Sequence, residues 1–341
     1  MTDTRVTSLD VARRAGVSQS AVSRVFTPGA SASAKTQAKV RKAAEELGYR
    51  PNVLARAMVS GRSRIIGVLV AYLENQFYPQ ALEKLSNALQ SEGYHVLIFM
   101  ASRTAGNIDR VLSEILDYQV DGIVMASVAM SSDIAMRCQA AGVPVVLFNR
   151  NQDMDGISSV TSDNFRGAET VARFLAAGGH RRIGYIAGWE GASTQRDREA
   201  GFRSGLAAAG TELCVRQCGD FHNERTRDAA RAMFDRPDRP DAVFVANDHM
   251  ALITMDVLRF EVGLSVPQDV SVVGFDDVPA SAALAYNLTT VRQRANRMVD
   301  ETVALLMEAI ENPTEAEPRK ITIDAPLVLR TSAKVPEGWT T

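Results

Sequence analysis

The chain has 341 residues, 46% of them apolar and 23% charged, with a formal net charge of −2. That length exceeds one ordinary core and predicts two or three domains. The composition is that of a soluble globular protein, and no apolar run approaches the about 18 residues of a membrane span. The small net charge conceals a split. Residues 1–62 carry 11 Lys and Arg against 4 Asp and Glu, a net of +7, while the rest carries 27 against 36, a net of −9. A basic head on an acidic body predicts a polyanion partner for the head alone. Three cysteines, an odd number, predict a reducing compartment and no disulfide framework. The opening MTDTRVTSLD is polar and has no apolar h-region, so no signal peptide is expected and the predicted location is the cytoplasm.

The first 50 residues predict a three-helix head. Helix 1 runs from about Leu9 to Ala15, and Gly16 supplies a tight turn where positive φ is often needed. Helix 2 runs from Gln19 to Phe26, with Ser18 placed to cap it. Its Ala21, Val22 and Val25 share an apolar face, which leaves Gln19, Ser20, Ser23 and Arg24 on the polar side. A short helix with small inner residues and an outer face that can pair with bases has the character of a recognition helix. Helix 3 runs from about Lys35 to Leu47 with Val40, Ala43, Ala44 and Leu47 as its stripe, and Gly48 ends it. Pro51 and Asn52 then open a one- or two-turn segment, Val53 to Val59, too short to stand as a helix alone. Gly61, Arg62 and Ser63 read as a joint.

From Ile65 onward, short β-branched strands alternate with amphipathic helices. The first run is IIGVLV, a helix over 79–92, HVLIFM, a helix over 107–118, GIVMAS, a helix over 132–142, and PVVLF. The second is a helix over 165–178, IGYIAG, a helix over 195–210, a strand near 214–220, a helix over 223–235, AVFVAN, a helix over 249–262, and VSVVGF. A late helix, Arg294 to Glu311, and a terminal strand, Ile321 to Leu329, complete the pattern. Two βα runs predict two doubly wound parallel-sheet subdomains. Such sheets bind ligands outside the carboxyl ends of their strands. The residues there are Phe77, Asn149, Arg150, Asn247, His249 and Asp276, with Trp189 and Arg198 after IGYIAG and Phe221 after the 214–220 strand. Asn, Arg and Asp side chains can bond hydroxyls bidentately and Phe can cover an apolar ring face, so the set has a sugar-site character.

Four segments, LDVARRAGVSQSAVSRVF, ELGYRPNVLARAM, VGFDD and LTTVRQ, carry a resemblance over nearly the whole chain. It resembles the LacI/GalR family of bacterial transcriptional regulators. The resemblance implies a helix-turn-helix head over 1–50, a hinge segment over 51–62, and an effector-binding and dimerisation domain over 63–341 with a periplasmic-binding-protein-like fold. Its N-subdomain is expected over 63–162 plus 293–319, and its C-subdomain over 163–292 plus 320–341. The implied function is a repressor that binds a palindromic operator as a homodimer under the control of a small polar effector, a sugar or related metabolite. Gln19 and Ser20 stand at the family's base-choosing positions, and Arg24 fits a guanine or a phosphate. Thr7, Ser18, Ser23, Ser31, Ser33 and Thr36 are expected phosphate contacts, which position without reading sequence. Asn52 and Ala55 complete the DNA set, with Met58 where the family carries a minor-groove wedge, usually Leu. Thr27 stands where the family often has Asn. Effector contacts fall on Arg198, Phe221, Asn247 and Asp276, then Asn149 and Arg150, with His249 and Phe77 added.

Cys214, Cys218 and His222 have a suggestive spacing, but on a strand four residues span about 13 Å, too far to share one zinc. No metal and no cofactor are expected. There is no G-x-G-x-x-G, P-loop or G-x-S-x-G elbow, so no catalytic constellation is predicted. A periplasmic-type sugar-binding protein would share the two-lobed architecture but not the basic head. An α/β metabolic enzyme would need the missing phosphate loop.

Overall fold

The structure, a computed structural model, describes residues 6–26, 30–50, 62–101, 105–128, 132–152 and 156–339. The chain divides into two compact units, Met1–Arg64 and Ile65–Thr341. In the first unit the three expected helices are α1 (Ser8–Ala15), α2 (Gln19–Phe26) and α3 (Ala34–Leu47). A capping box opens α1: the Thr7 side chain accepts from the Asp10 N–H, and the Asp10 carboxylate accepts from the Thr7 N–H at 2.9 Å. Gly16 closes α1 at φ +64°, and Gly48 closes α3 at φ +66°. The core is small-volume: Val11, Ala12, Val22, Val40, Ala43 and Ala44. Small contact residues let three short helices approach closely. The expected Val53–Val59 helix lies outside the described residues.

The second unit opens with β1 (Ile65–Val70), α4 (Phe77–Ser91), β2 (His95–Met100), α5 (Ala105–Asp117), β3 (Gly122–Ala126), α6 (Ser132–Ala140), β4 (Val145–Phe148) and β5 (Ser158–Ser162). It continues with α7 (Asn164–Ala177), β6 (Ile183–Ala187), α8 (Ser193–Ala208), β7 (Leu213–Cys218), α9 (Asn223–Phe234), β8 (Ala242–Val245), α10 (Asp248–Asp256) and β9 (Ser271–Asp276). It ends with β10 (Thr289–Arg292), α11 (Ala295–Glu311), β11 (Lys320–Ile323) and β12 (Leu327–Val328). Two six-stranded sheets result, in the orders β11-β5-β4-β3-β1-β2 and β12-β10-β9-β8-β6-β7. Every pairing is parallel except β10 with β12. The inner strands are buried on both faces, which is why their sequences are continuous apolar runs rather than alternations.

Three features depart from the sequence reading. The strands β5 (SSVTS) and β10 (TTVR) were not predicted, because buried hydroxyl residues give no apolar run. The expected strand from Ile321 to Leu329 is two strands in different sheets. Lys320–Ile323 pair with Ser159–Ser162 in the first sheet, so residues 320–323 belong with the N-subdomain and not, as expected, with the C-subdomain. Residues 324–326 carry the chain from one sheet to the other, and the Pro326 carbonyl already accepts from the Arg292 N–H at 2.8 Å beside β10. The helix expected over 249–262 becomes a π-helical turn at Val257–Val262.

The chain passes between the subdomains after β5, after β10 and between β11 and β12, and these crossings bond to one another. The Asp163 N–H donates to the Ile323 carbonyl at 2.7 Å, and Ser162 Oγ donates to Gln293 Oε1 at 2.9 Å. Asp324 holds Arg294 at 2.8 Å and Arg297 at 3.1 Å.

Helices α7 and α8 pack closely because α8 carries Gly201 and Gly205 at the contact; a Cβ on Gly201 would overlap the Phe165 carbonyl. Gly201→Ala must push the helices apart, and we expect a loss of about 2 kcal/mol or more in urea unfolding. An unchanged midpoint would show that the crossing tolerates the methyl.

Candidate functional site

In the head, Gln19, Ser20, Ser23 and Arg24 are exposed on α2, and Val22 is buried beneath them. Gln19 Nε2 donates to Ser8 Oγ at 3.0 Å, and Arg24 Nε donates to the Ser20 carbonyl at 3.4 Å. Ser18 Oγ accepts from the Ala21 N–H at 3.2 Å and lies 2.9 Å from Ser20 Oγ. Ser33 caps α3 by accepting from the Thr36 N–H at 3.2 Å. Thr7, Ser18 and Ser33 therefore serve as helix caps in the free head. Ser31 is exposed and Thr36 half-buried. Thr27, Asn52, Ala55 and Met58 lie outside the described residues.

In the second unit the strand ends of the two sheets meet across a cleft. Arg198, projecting from α8, is its centre. The guanidinium donates to Asn164 Oδ1 at 2.8 Å and to the Ala246 carbonyl at 2.5 Å, and it lies 3.5 Å from Asp276 Oδ1 and 3.7 Å above the Phe275 ring. Asp276 closes β9 at φ +137°, a conformation unfavourable for a residue with a Cβ. Its carboxylate also accepts from Asn75 Nδ2 at 2.9 Å and Gln293 Nε2 at 2.7 Å. Asn75 comes from the first subdomain, so this bond spans the cleft. Arg150 Nη1 does the same, donating to Thr194 Oγ1 at 2.8 Å, and the Asn151 N–H donates to Ser193 Oγ at 3.0 Å.

Asn247 caps α10 through its Oδ1, which leaves its buried Nδ2 without a partner. Asn149, at φ +55°, donates from Nδ2 to the Tyr78 hydroxyl at 3.3 Å, and its buried Oδ1 is also unpartnered. Phe221 stacks on Tyr72 across the cleft at 6.4 Å between centroids. His249 lies 2.5 Å from Asn223 Oδ1; burial lowers its pKa, opposed by the charge of Glu74. Phe77 stacks on Phe148 within the first subdomain's core, which makes it a floor residue.

Behind Asp276 lies a second buried carboxyl, Asp248, which accepts from Thr290 Oγ1 at 2.5 Å, Ser281 Oγ at 2.6 Å and the Val278 N–H at 3.0 Å. Burial, then the charge of Asp276, pushes Asp248 up to about 7. Burial raises Asp276 as well, but Arg198 and the two amides pull it back. Of the two carboxyls, only Asp276 has a guanidinium at ion-pair distance, that of Arg198 at 3.5 Å, which favours its charged form.

Asn75, Tyr72, Ser193, Thr194, Asp248 and Gln293 were absent from the sequence-derived set. Asn75 follows β1, where the strand-end rule could have found it. Gln293 stood inside the LTTVRQ segment with no role attached. Among the described residues no group of His, Cys, Asp and Glu could hold a metal, and no helix is long and apolar enough to cross a membrane. Cys218 Sγ donates to the Gly188 carbonyl.

A helix-turn-helix head joined to a two-subdomain α/β clamp with a buried polar cleft defines a ligand-responsive transcription regulator. Residues 7–52 match the bacterial regulatory proteins of the lacI family, and residues 172–333 match the periplasmic binding protein-like domain. The chain is 31% identical to the ribose operon repressor of Escherichia coli K12 over 319 residues, covering 92% of this chain and 96% of that one. A transcriptional regulator CelR–cellobiose complex is 31% identical with a TM-score of 0.73, covering 96% of this chain and 100% of that one. A lac repressor dimer bound to operator and the anti-inducer ONPF is 28% identical with a TM-score of 0.85, covering 96% and 99%. The chain belongs to the LacI family of bacterial regulatory proteins: it is a DNA-binding transcriptional regulator, and not an enzyme.

Proposed function

We propose that this protein is a repressor that binds a palindromic operator as a homodimer and changes its operator affinity when a small polar effector, a sugar or related metabolite, enters the cleft. The observation that carries this reading is the buried group of Arg198, Asp276, Asn75 and Asn247, which combines bonds across the cleft with an unsatisfied amide inside it. A buried amide without a partner is costly, and a ligand hydroxyl relieves that cost. The ribose and cellobiose in the names of two relatives support a sugar. The lac repressor dimer supports a pair of chains, as does apolar surface on this chain: Ile98 and Met100 on edge strand β2, and Phe260 and Leu284 in the second subdomain, are all exposed. We assign the head to residues 1–50 and the hinge to 51–62, with Asn52, Ala55 and Met58 contacting DNA from the hinge. The cytoplasm is the proposed location.

The effector can shift operator affinity only by its differential affinity for two arrangements of the clamp, typically about 1–3 kcal/mol. The test is operator anisotropy against a sugar and metabolite panel, for wild type and Asn247→Ala. A compound that shifts operator affinity in wild type and not in the variant is expected. An equal shift in both proteins would place the effector elsewhere.

Base choice is assigned to Gln19 and Ser20. Replacing both should redirect the selected half-site, at roughly 1–3 kcal/mol per base pair. Arg24→Ala should instead weaken all operators. An unchanged consensus from the double variant would remove the assignment.

A further inference from the structure

Arg198 and Arg150 are both buried in the cleft, at 2% and 4% exposure, but their surroundings differ. Arg198 is neutralised by Asp276. Arg150 has no carboxylate within ion-pair distance among the described residues. Its Nη1 meets only neutral acceptors, the Asn149 carbonyl at 3.0 Å and Thr194 Oγ1 at 2.8 Å, and its buried Nε has no partner. A buried guanidinium without a counter-charge is a strongly unfavourable arrangement unless something supplies the missing anion.

The surroundings of Arg150 are suited to that anion. Thr194 lies in the first turn of α8, a helix of 16 residues whose N-terminus has no side-chain cap. Its leading N–H groups and its dipole favour negative charge. Ser193 and Thr194 add two buried hydroxyls, and Ser193 Oγ is already engaged by the Asn151 N–H. Thr194 and Arg198 are one turn apart on the same face of α8, so the place beside Arg150 adjoins the polar group around Asp276.

We infer that the effector is anionic, a sugar or related metabolite bearing a phosphate or carboxylate, with its anionic group docked where Arg150 meets the N-terminus of α8. This rests on reading the cleft as the effector site. The neutral end of the molecule then faces Asp276, Asn75 and Asn247, which bond hydroxyls, and its ring lies against Tyr72 and Phe221. The anion also touches both subdomains, Arg150 from the first and α8 from the second. Its charge therefore acts on the closure of the cleft, and a neutral analogue of the same size should bind without driving closure as fully.

The test uses the full-length protein. Inorganic phosphate is compared with chloride at matched ionic strength by thermal shift. Ribose, glucose and fructose, each paired with its monophosphate, and glucose paired with gluconate, are then compared by calorimetry. Phosphate should raise the wild-type Tm, and at least one anion should bind about tenfold or more tighter than its neutral parent, the scale of a charge-assisted bidentate contact. Arg150→Gln, which retains a donor to Thr194, should abolish the phosphate effect and bring each pair to similar affinity. Arg150→Lys should recover part of the preference. If neutral sugars bind as tightly as their anions, and Arg150→Gln weakens both equally, Arg150 reads hydroxyls: the anion inference is overturned and the effector cleft stands. If no anion binds, the inference is overturned outright. If anions bind equally well to wild type, Arg150→Gln and Asn247→Ala, the site lies outside the cleft and the reading beneath the inference fails too.

Discussion

Arg198→Ala is expected to lower stability by about 3–5 kcal/mol, because it leaves the buried Asp276 carboxylate without its cation. The side chain also holds Asn164, the Ala246 carbonyl and the Phe275 ring, so the loss spreads over β8, β9 and α7. For a domain of this size the change corresponds to a fall in Tm of roughly 10 °C. The effector response should vanish with it. A double variant, Arg198→Met with Asp276→Asn, separates the two effects. Replacing both members of a buried pair by neutral groups of similar volume is often nearly neutral, so most of the stability should return. On the proposed reading of the cleft the effector response should not, because both of these charges are gone. Unfolding within about 0.5 kcal/mol of wild type for Arg198→Ala would mean that the pair is not buried as described.

The second large effect is a dependence on pH set by Asp248. Its folded pKa, about 7, lies above the ordinary carboxyl value of 3.8, so the folded state holds a proton that the unfolded state releases. The resulting stabilisation is complete below the unfolded pKa and is lost as pH rises through about 7. His180 and His249 act in the opposite direction, since burial lowers both. Their contribution is present above the unfolded histidine pKa and fades as pH falls. The wild-type profile is therefore a sum of opposing slopes, and the informative quantity is its difference from Asp248→Asn. The Ser281 and Thr290 hydroxyls can reorient around an amide. Between pH 5 and 8 the stability of wild type relative to Asp248→Asn should fall by on the order of 2 kcal/mol. Parallel profiles for the two proteins would show that Asp248 does not titrate in this range.

How far the sequence revealed this molecule depends on the kind of signal. The head was legible because its spacing is local: a cap, a glycine turn and a small apolar face all lie within about 20 residues. The inner strands were legible because burial on both faces makes them apolar throughout. Strands β5 and β10 were not, since their buried Ser and Thr residues look like loop. The return of Lys320–Ile323 to the first sheet was not legible either. Nothing in KITI specifies which of two sheets it extends; that is decided by partners about 160 residues away. The cleft followed the same division. Arg198, Asp276 and Asn247 sit where the strand-end rule looks, whereas Asp248 is hidden between two assigned neighbours. Gln293 gains meaning only when β10 is placed beside β9.

The bonded crossings impose a restriction on how the clamp can move. Three chain segments run side by side between the lobes and are tied to one another, so sliding or twisting one lobe over the other would break those ties together. Bending about the line through them disturbs them least, which leaves one soft coordinate. Gln293 sits on that line, donating to Asp276 while accepting from Ser162. A molecule that competes for the Asp276 oxygens thus acts on the pivot itself, and a small local exchange of partners is delivered as a swing whose amplitude grows with distance from the axis.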